Sequence, residues 1–559
     1  MPADCYKQKN YSVTQQIVMA FVMAFLFMGN AKAVLTDSLG IGNAKALGLG
    51  HAVTADPPGI DSIHYNPAGL AKVKGRKKHV KLIAGSFDIA LELGDYNEDR
   101  AALLELARIE GAKLGADGIP IIENPDEWFY NESYQTTSET EGASMMLPFG
   151  IGQTDFPALI FPLGGVSISP PGSGVTFGTN VYTPLAAGFY RAEDDPGRFI
   201  GQRLSFLLLT YFSPSIAVEV NDQLMFGASI NFNYAGVGFE VPFRSDHLGL
   251  LALPFLQAGD CDTAEGNAGA AIPICENLGP YDVLGTLTFS VEKELAIGFN
   301  MGVLWEPTPW LTLGAVYQSP VSMDMEGDFS WENSEKWLNF LGELSTEKLL
   351  ASGLDLIGVK GQTFVEGTAN LEMEMPEHYA LGMSLQLTPS VKVNVDYKFT
   401  GWSSWESIPV KFSQNIDVLA LGSLVQSELA EPNSVTFPLG LQDTWNWAMG
   451  VEYQFSDQLA LRMGVEDRPS SIPTESRSPL LPIASGTFYG IGFGYKAISG
   501  AQWDVGLAYF HSEVEMPGGS SDLGNSTDPT KAIYNPFQGQ DITATLDVIL
   551  LEMSYSQDF

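Results

Sequence analysis

The stretch QLMFGASINFNY, Gln223 to Tyr234, alternates strictly. Leu224, Phe226, Ala228, Ile230, Phe232 and Tyr234 fall on one face, and Gly227, Ser229, Asn231 and Asn233 on the other. A period of two with one apolar and one small or polar face is the pattern of a β-strand between two unlike surroundings. The pattern recurs. In SVKVNVDYK, Val391, Val393, Val395 and Tyr397 oppose Lys392, Asn394, Asp396 and Lys398. In QLALRMGVE, Leu459, Leu461, Met463 and Val465 oppose Ala460, Arg462, Gly464 and Glu466. In WDVGLAY, Trp503, Val505, Leu507 and Tyr509 oppose Asp504, Gly506 and Ala508.

A soluble sandwich shares this alternation, so the spacing of strands decides. Very short turns (Val220–Gln223, Glu306–Pro309, Thr388–Ser390, Ser456–Gln458, Ile498–Gln502 and Pro170–Gly174) alternate with long polar stretches near 236–290, 323–376, 400–444, 467–486 and 512–540. Short turns on one side and long loops on the other are the rhythm of an outer-membrane barrel. Six hairpins, a rising strand near 79–93 and a closing strand near 543–559 give fourteen strands. The expected fold is all-β, a transmembrane antiparallel β-barrel. Trp305, Trp310 and Trp503 sit near strand ends, as an interfacial girdle requires, and the chain closes on the alternating LEMSYSQDF with a terminal Phe559.

Composition agrees. The 559 residues carry 29 Lys+Arg against 66 Asp+Glu, a net charge of −37, which excludes a nucleic-acid partner. The one dense basic run, KVKGRKKHVK from Lys72 to Lys81, is read as solvated or facing lipid headgroups. Lys7 and Lys9 precede the apolar block Ile17–Met28 and an A-x-A arrangement at Ala31 and Ala33, so residues 1–33 read as a signal peptide. Cys261 and Cys275 lie in a polar Gly/Ala-rich loop, and both a disulfide and two free thiols fit that context. Residues 34–78 lack alternation. This small-residue, turn-rich segment is expected to plug the lumen as a hatch, with the barrel over 79–559.

Chemistry is sparse. The six histidines are scattered, GIGNAK has Lys45 where a dinucleotide loop needs glycine, and no G-x-S-x-G elbow exists. No enzyme, cofactor or metal is expected. The acidic run Gly94–Asp99 offers carboxylates to Ca²⁺, although a solvated acidic exterior is the simpler reading.

The run GLGHAVTADPPGIDSIHYNPAGLA resembles the N-terminal hatch of the FadL-type long-chain fatty acid transporters of Gram-negative outer membranes, with Asn66, Pro67 and Ala68 matching the family's Asn-Pro-Ala box. Further likeness lies in Ser213–Tyr234, Asp396–Phe412 and Leu461–Pro482. The resemblance implies a fourteen-stranded barrel plugged by a hatch. It also implies passive uptake of a long-chain fatty acid or another hydrophobic small molecule, with exit sideways at a kink in the third strand. Here that strand is Val175–Leu185, and Gly178 and Pro184 are the candidate gate. A fatty-acid carboxylate needs a cation, and Lys392, Lys398 and Arg462 stand on polar strand faces, where pairing with Asp396 and Glu466 is the competing role. Leu248, Leu250, Leu251, Leu253 and Phe255 are the candidate external capture groove; Trp402 and Trp405 read as belt or loop-base residues. Outer-membrane lipid and lipopolysaccharide are the expected surroundings, and the protein is expected to be a monomer. The insertion near 94–155 departs from the family pattern. The alternative function is an adhesin or structural barrel without transport.

Overall fold

The computed structural model describes residues 42–114, 120–122, 124–244, 250–251, 278–346, 348–483, 485–531 and 533–559. The expected signal peptide, Cys261, Cys275, Leu248, Leu253 and Phe255 lie outside them. The wall is a closed antiparallel barrel of fourteen strands. They are β1 (Gly75–Tyr96), β2 (Leu159–Ser169), β3 (Val175–Asn180 and Tyr182–Tyr190), β4 (Arg203–Phe212 and Ser215–Asn221) and β5 (Leu224–Arg244). Next come β6 (Val283–Thr308), β7 (Leu311–Gln318 and Val321–Asn333), β8 (Phe364–Met375 and His378–Thr388) and β9 (Val391–Thr400). The wall ends with β10 (Thr444–Gln454), β11 (Leu459–Arg468), β12 (Gly486–Lys496), β13 (Gln502–Met516) and β14 (Gln540–Asp558), which pairs with β1 from Asp558↔Lys77 to Gln540↔Tyr96. Closure leaves no sheet edge in the hydrocarbon layer. All six short turns fall where the sequence places them, and β1 begins at Gly75 rather than near 79.

The strands run farther than the alternation suggested. Residues 236–244, 283–290, 323–333 and 364–375 were expected in loops; they are strand. The cause is an inversion of the pattern. In the lower half of the barrel the apolar face points out: Phe226, Ile230, Ile297, Met301, Leu461, Met463 and Ile491 are exposed, as lipid-facing residues are. Above, the apolar face points in. Val237, Phe239, Val241 and Phe243 of β5 are buried, and along β7 Val321, Met323 and Met325 are buried while Ser322, Asp324 and Glu326 are exposed. The upper strands therefore stand in water around an apolar interior. Trp402 and Trp405 belong to that interior, both buried and packed edge to face with ring centroids 5.2 Å apart, so they are not belt residues. Trp305, Trp310 and Trp503 are exposed at the lower rim.

The insertion between β1 and β2 holds a helix (Glu98–Gly111), a strand (Thr136–Glu139) paired with β1, and a hairpin of Ala143–Leu147 with Gly152–Phe156. Asp95 accepts hydrogen bonds from Tyr134 and Gln135, and among the described residues no three His, Cys, Asp or Glu side chains converge as a metal site needs.

Candidate functional site: the hatch, the lumen and the break in the third strand

Short local signals fold the hatch. The Asn43 side chain accepts from the Lys45 and Ala46 amides and starts the helix Ala44–Gly48. Asn66 does the same for the Ala68 amide, with Pro67 at the first position of the turn Pro67–Lys72. The Asn66 side chain also donates from Nδ2 to Thr54 O (2.8 Å) and to Val303 O of β6 (3.1 Å). The Asn-Pro-Ala box thus ties the hatch to itself and to the wall, and Asn66, Pro67 and Ala68 are fully buried.

The wall receives the hatch on glycines. Gly227 and Gly302, paired across β5 and β6, face Pro67 and Asn66; Gly314 and Gly382, paired across β7 and β8, face Thr54. Gly450, Gly464 and Gly490 on β10, β11 and β12 face Leu47, Leu49 and Gly50. At each of these positions a Cβ would collide with the hatch. Only glycine permits so close an approach of two backbones.

Buried ion pairs fix the rest. Asp61 receives hydrogen bonds from Asn43 (2.7 Å), Lys81 Nζ on β1 (2.6 Å) and Asn180 Nδ2 on β3 (2.7 Å), with His79 of β1 at 3.2 Å. Burial works against its charge, but the Lys81 ammonium overcomes this and holds the carboxyl down at about 2. Lys81 and His79 correct the reading of the basic run. Lys72, Lys74 and Lys77 pair with Glu306, Glu219 and Asp558 at the exposed rim, but His79 and Lys81 point into the lumen. The alternation of β1, extended backward through Lys81, carries the signal that would have found them.

The three candidate carboxylate cations are separated by the structure. Lys392 approaches Asp56 of the hatch (3.1 Å) and Glu452 (3.7 Å). Arg462 pairs with Glu452 (2.7 Å) and Asp504 (2.6 Å). Lys398 donates to Glu466 Oε1 (2.8 Å), whose carboxylate also takes Asn446, Arg468 and His51 of the hatch. Asp396 accepts the Val53 and Thr54 amides of the hatch at 2.8 Å each.

Above the hatch lies a small cavity of about 50 Å³, bounded by His64 below, by Tyr182 and Pro184 of β3, and by Leu208, Asn231, Met375 and His378. A second, of about 20 Å³, shares His64, Gln318 and His378 and reaches Lys398. Higher still, the apolar interior includes Phe189, Phe239, Phe289, Trp331, Phe412 and Phe510, with Leu250 packed against it. Of the two described members of the expected capture groove, Leu250 packs on this interior and Leu251 is buried.

The third strand is broken beside this cavity. Its lower segment pairs with β2 from Phe177↔Ile168 to Asn180↔Gly165, and the Val181 amide reaches Gly164 O at 2.9 Å. Above that point β3 leaves β2 and pairs with β4, with a register shift between Tyr182 and Leu185, and meets the insertion at the bridge Gly142↔Tyr190. The break therefore falls at Val181. Gly178 lies below it, facing Leu70 and Ile63 of the hatch, and Pro184 lies above it, on the cavity.

Residues 29–559 match the profile described as outer membrane protein transport protein (OMPP1/FadL/TodX). The chain belongs to this family. As a FadL-type barrel of the Gram-negative outer membrane it has distant relatives. It is 22% identical over 297 residues to the long-chain fatty acid transport protein of Escherichia coli K12, a match that covers 53% of this chain and 58% of that relative. A Pseudomonas aeruginosa FadL homologue superposes with a TM-score of 0.63 at 18% identity, covering 95% of this chain and 100% of the other. The Ralstonia pickettii toluene transporter TbuX gives 0.55 at 16%, covering 94% and 100%.

Proposed function

We propose that this barrel carries a long-chain fatty acid or a related hydrophobic compound inward by passive diffusion, and that the cargo leaves sideways through the break in β3. The observation that supports this most directly is the continuity of apolar surface. An apolar interior stands above the membrane and narrows to a cavity bounded by Tyr182 and Pro184 at the broken strand. Each step exchanges water for apolar contact, worth about 25 cal/mol per Å² of buried area. The relatives' names, a fatty acid transporter and a toluene transporter, favour hydrophobic cargo and not a chemical reaction. Hatch displacement opens the floor of the cavity, and Gly178 and Pro184 frame the gate.

Of the three cations, Lys398 lines the smaller of the two cavities. It meets a fatty-acid carboxylate by releasing Glu466, which keeps Arg468 as a partner. Lys392 and Arg462 hold the hatch and the lower lumen. The protein acts as a monomer surrounded by outer-membrane lipid and lipopolysaccharide.

The test is uptake of labelled oleate, toluene and hexadecane by cells lacking their own transporter and shown to assemble the barrel. Uptake of any of the three above empty vector supports transport. Uptake of none, with the barrel correctly assembled, overturns it in favour of an adhesive or structural role.

A further inference from the structure

The hairpin Ala143–Phe156 lies outside the barrel wall. Its Ser144 carbonyl covers Gly188 of β3, and Met146 covers Gly236 of β5, both glycines on the outward face. Met146 Sδ also accepts from Ser290 of β6 at 3.3 Å, and Asp155 pairs with Arg203 at 2.8 Å. The hairpin is anchored at its upper end by the bridge Gly142↔Tyr190, at the top of β3, and descends toward the membrane.

Its lower end meets the lipid-facing band. Along the outward face of β5, Phe226 and Ile230 are exposed and Phe232 is half-buried, but Tyr234, next in the same column, is only 3% exposed. The hairpin covers it: the Tyr234 hydroxyl donates to Leu147 O at 3.4 Å and to Glu292 Oε2 at 2.8 Å. The outward column of β6 changes at the same height, with Glu292 above and Leu295, Ile297 and Phe299 exposed below. Beyond Leu147 the turn Pro148–Ile151 continues past this boundary. It holds Phe149 at 87% exposure and Ile151 at 64%, with no charged residue in Leu147–Gly152. Phe149 stands at φ +65°, a conformation bulky residues rarely adopt. A side chain kept there in water gains nothing that asparagine or glycine would not supply better.

We propose that the tip of this hairpin is seated in the acyl layer of the outer leaflet, with Phe149 and Ile151 as its apolar anchors. The partner is a lipid surface continuous with the one that the barrel wall already meets. The same hairpin reaches across the seam where β2 and β3 part, since Met146 clusters with Ala186 of β3 and Leu207 of β4, and Phe161 of β2 packs against that cluster. Lipid contact at the tip thereby holds the cover of that seam in place. The inference rests on the position of the barrel in the membrane and not on the cargo.

The experiment places a nitroxide at Phe149→Cys in a chain whose Cys5, Cys261 and Cys275 are replaced by Ser, reconstituted in palmitoyl-oleoyl-phosphatidylcholine bilayers. Collision with oxygen and with a water-soluble nickel chelate is compared with Ile297→Cys on the lipid-facing wall and Leu356→Cys on an exposed extracellular helix. The expected result is an oxygen-to-nickel ratio at 149 within about twofold of that at 297 and several-fold above that at 356. A ratio matching 356 overturns the proposal. So does dipolar broadening at 149 that disappears on dilution with unlabelled protein, which would assign the tip to a contact between copies. Hydroxyl-radical footprinting of the unsubstituted chain in the same lipid is independent of the cysteine background. Protection of Phe149 where Leu356 is oxidised supports the seat, and equal oxidation removes it.

Discussion

The carboxylate of Asp61 in the hatch and the side-chain amide of Asn180 in β3 are joined by a 2.7 Å hydrogen bond, one residue before the wall strand breaks at Val181. Hatch position and the geometry of the break are therefore coupled through one contact. Substituting Asn180→Leu should leave the barrel folded and raise the rate of uptake or of leak. Cargo flux and single-channel conductance in planar bilayers read the two outcomes. No change in either removes the coupling.

Asp61 also neutralises Lys81, which is buried. Asp61→Ala strands that ammonium, and loss of one partner of a buried pair costs about 3–5 kcal/mol. The hatch should then loosen while the wall keeps its heat-modifiable gel mobility. Asp61→Ala combined with Lys81→Met should recover much of the loss, as measured by conductance and by protease access to residues 42–74.

The same pair sets a pH dependence. The Asp61 carboxyl is depressed from its ordinary 3.8 to about 2, so its contribution is full above about 4 and is lost as pH falls through about 2. Conductance of the wild-type barrel should stay low at pH 5 and rise toward pH 2, whereas Asp61→Asn should show the smaller pH step.

Gly302 faces the Asn66 side chain without room for a Cβ. Gly302→Val should displace the Asn-Pro-Ala box and open a leak, seen as sensitivity to large antibiotics that an intact outer membrane excludes. Asn66→Ala should act in the same direction but more weakly, because it leaves the Thr54 and Val303 carbonyls without this donor, at about 1–3 kcal/mol each if they stay dry.

Lys398→Met separates cargo classes. Oleate uptake should fall several-fold and toluene uptake should not, because a hydrocarbon presents no carboxylate. Equal loss of both would make Lys398 a structural partner of Glu466 and nothing more.

The fold was legible because its determinant is local. Each strand in the lipid shows its two faces in ten residues, as β9 and β11 do, and each lower turn is short. The hatch was legible by contrast, as the segment without alternation. What escaped was whatever depends on height above the membrane. Along β5 and β7 the alternation persists past the lipid, but the apolar face turns inward and the acidic face outward, so Ser322, Asp324 and Glu326 resemble a loop. The grip on the hatch escaped for another reason. His79 and Lys81 sit within a basic run whose other members are solvated, and their partner Asp61 is distant in sequence. Gly178 and Pro184 flank Val181, the residue at which β3 leaves β2. The position of that break depends on where β2 stops pairing, a property of the neighbour that β3 alone does not encode.

The glycines under the hatch bear on the order of assembly. Where backbone rests on backbone, no side chain can swing aside to admit a late arrival. The hatch precedes β1 in the chain, and the wall is closed by the seam that joins its first strand, β1, to its last, β14. A wall that zipped shut around an empty bore would present a floor too closely fitted to thread. Residues 42–74 must therefore be lodged against β5–β8 and β10–β12 before that seam closes, so the stopper acts as the mandrel on which the barrel is wound.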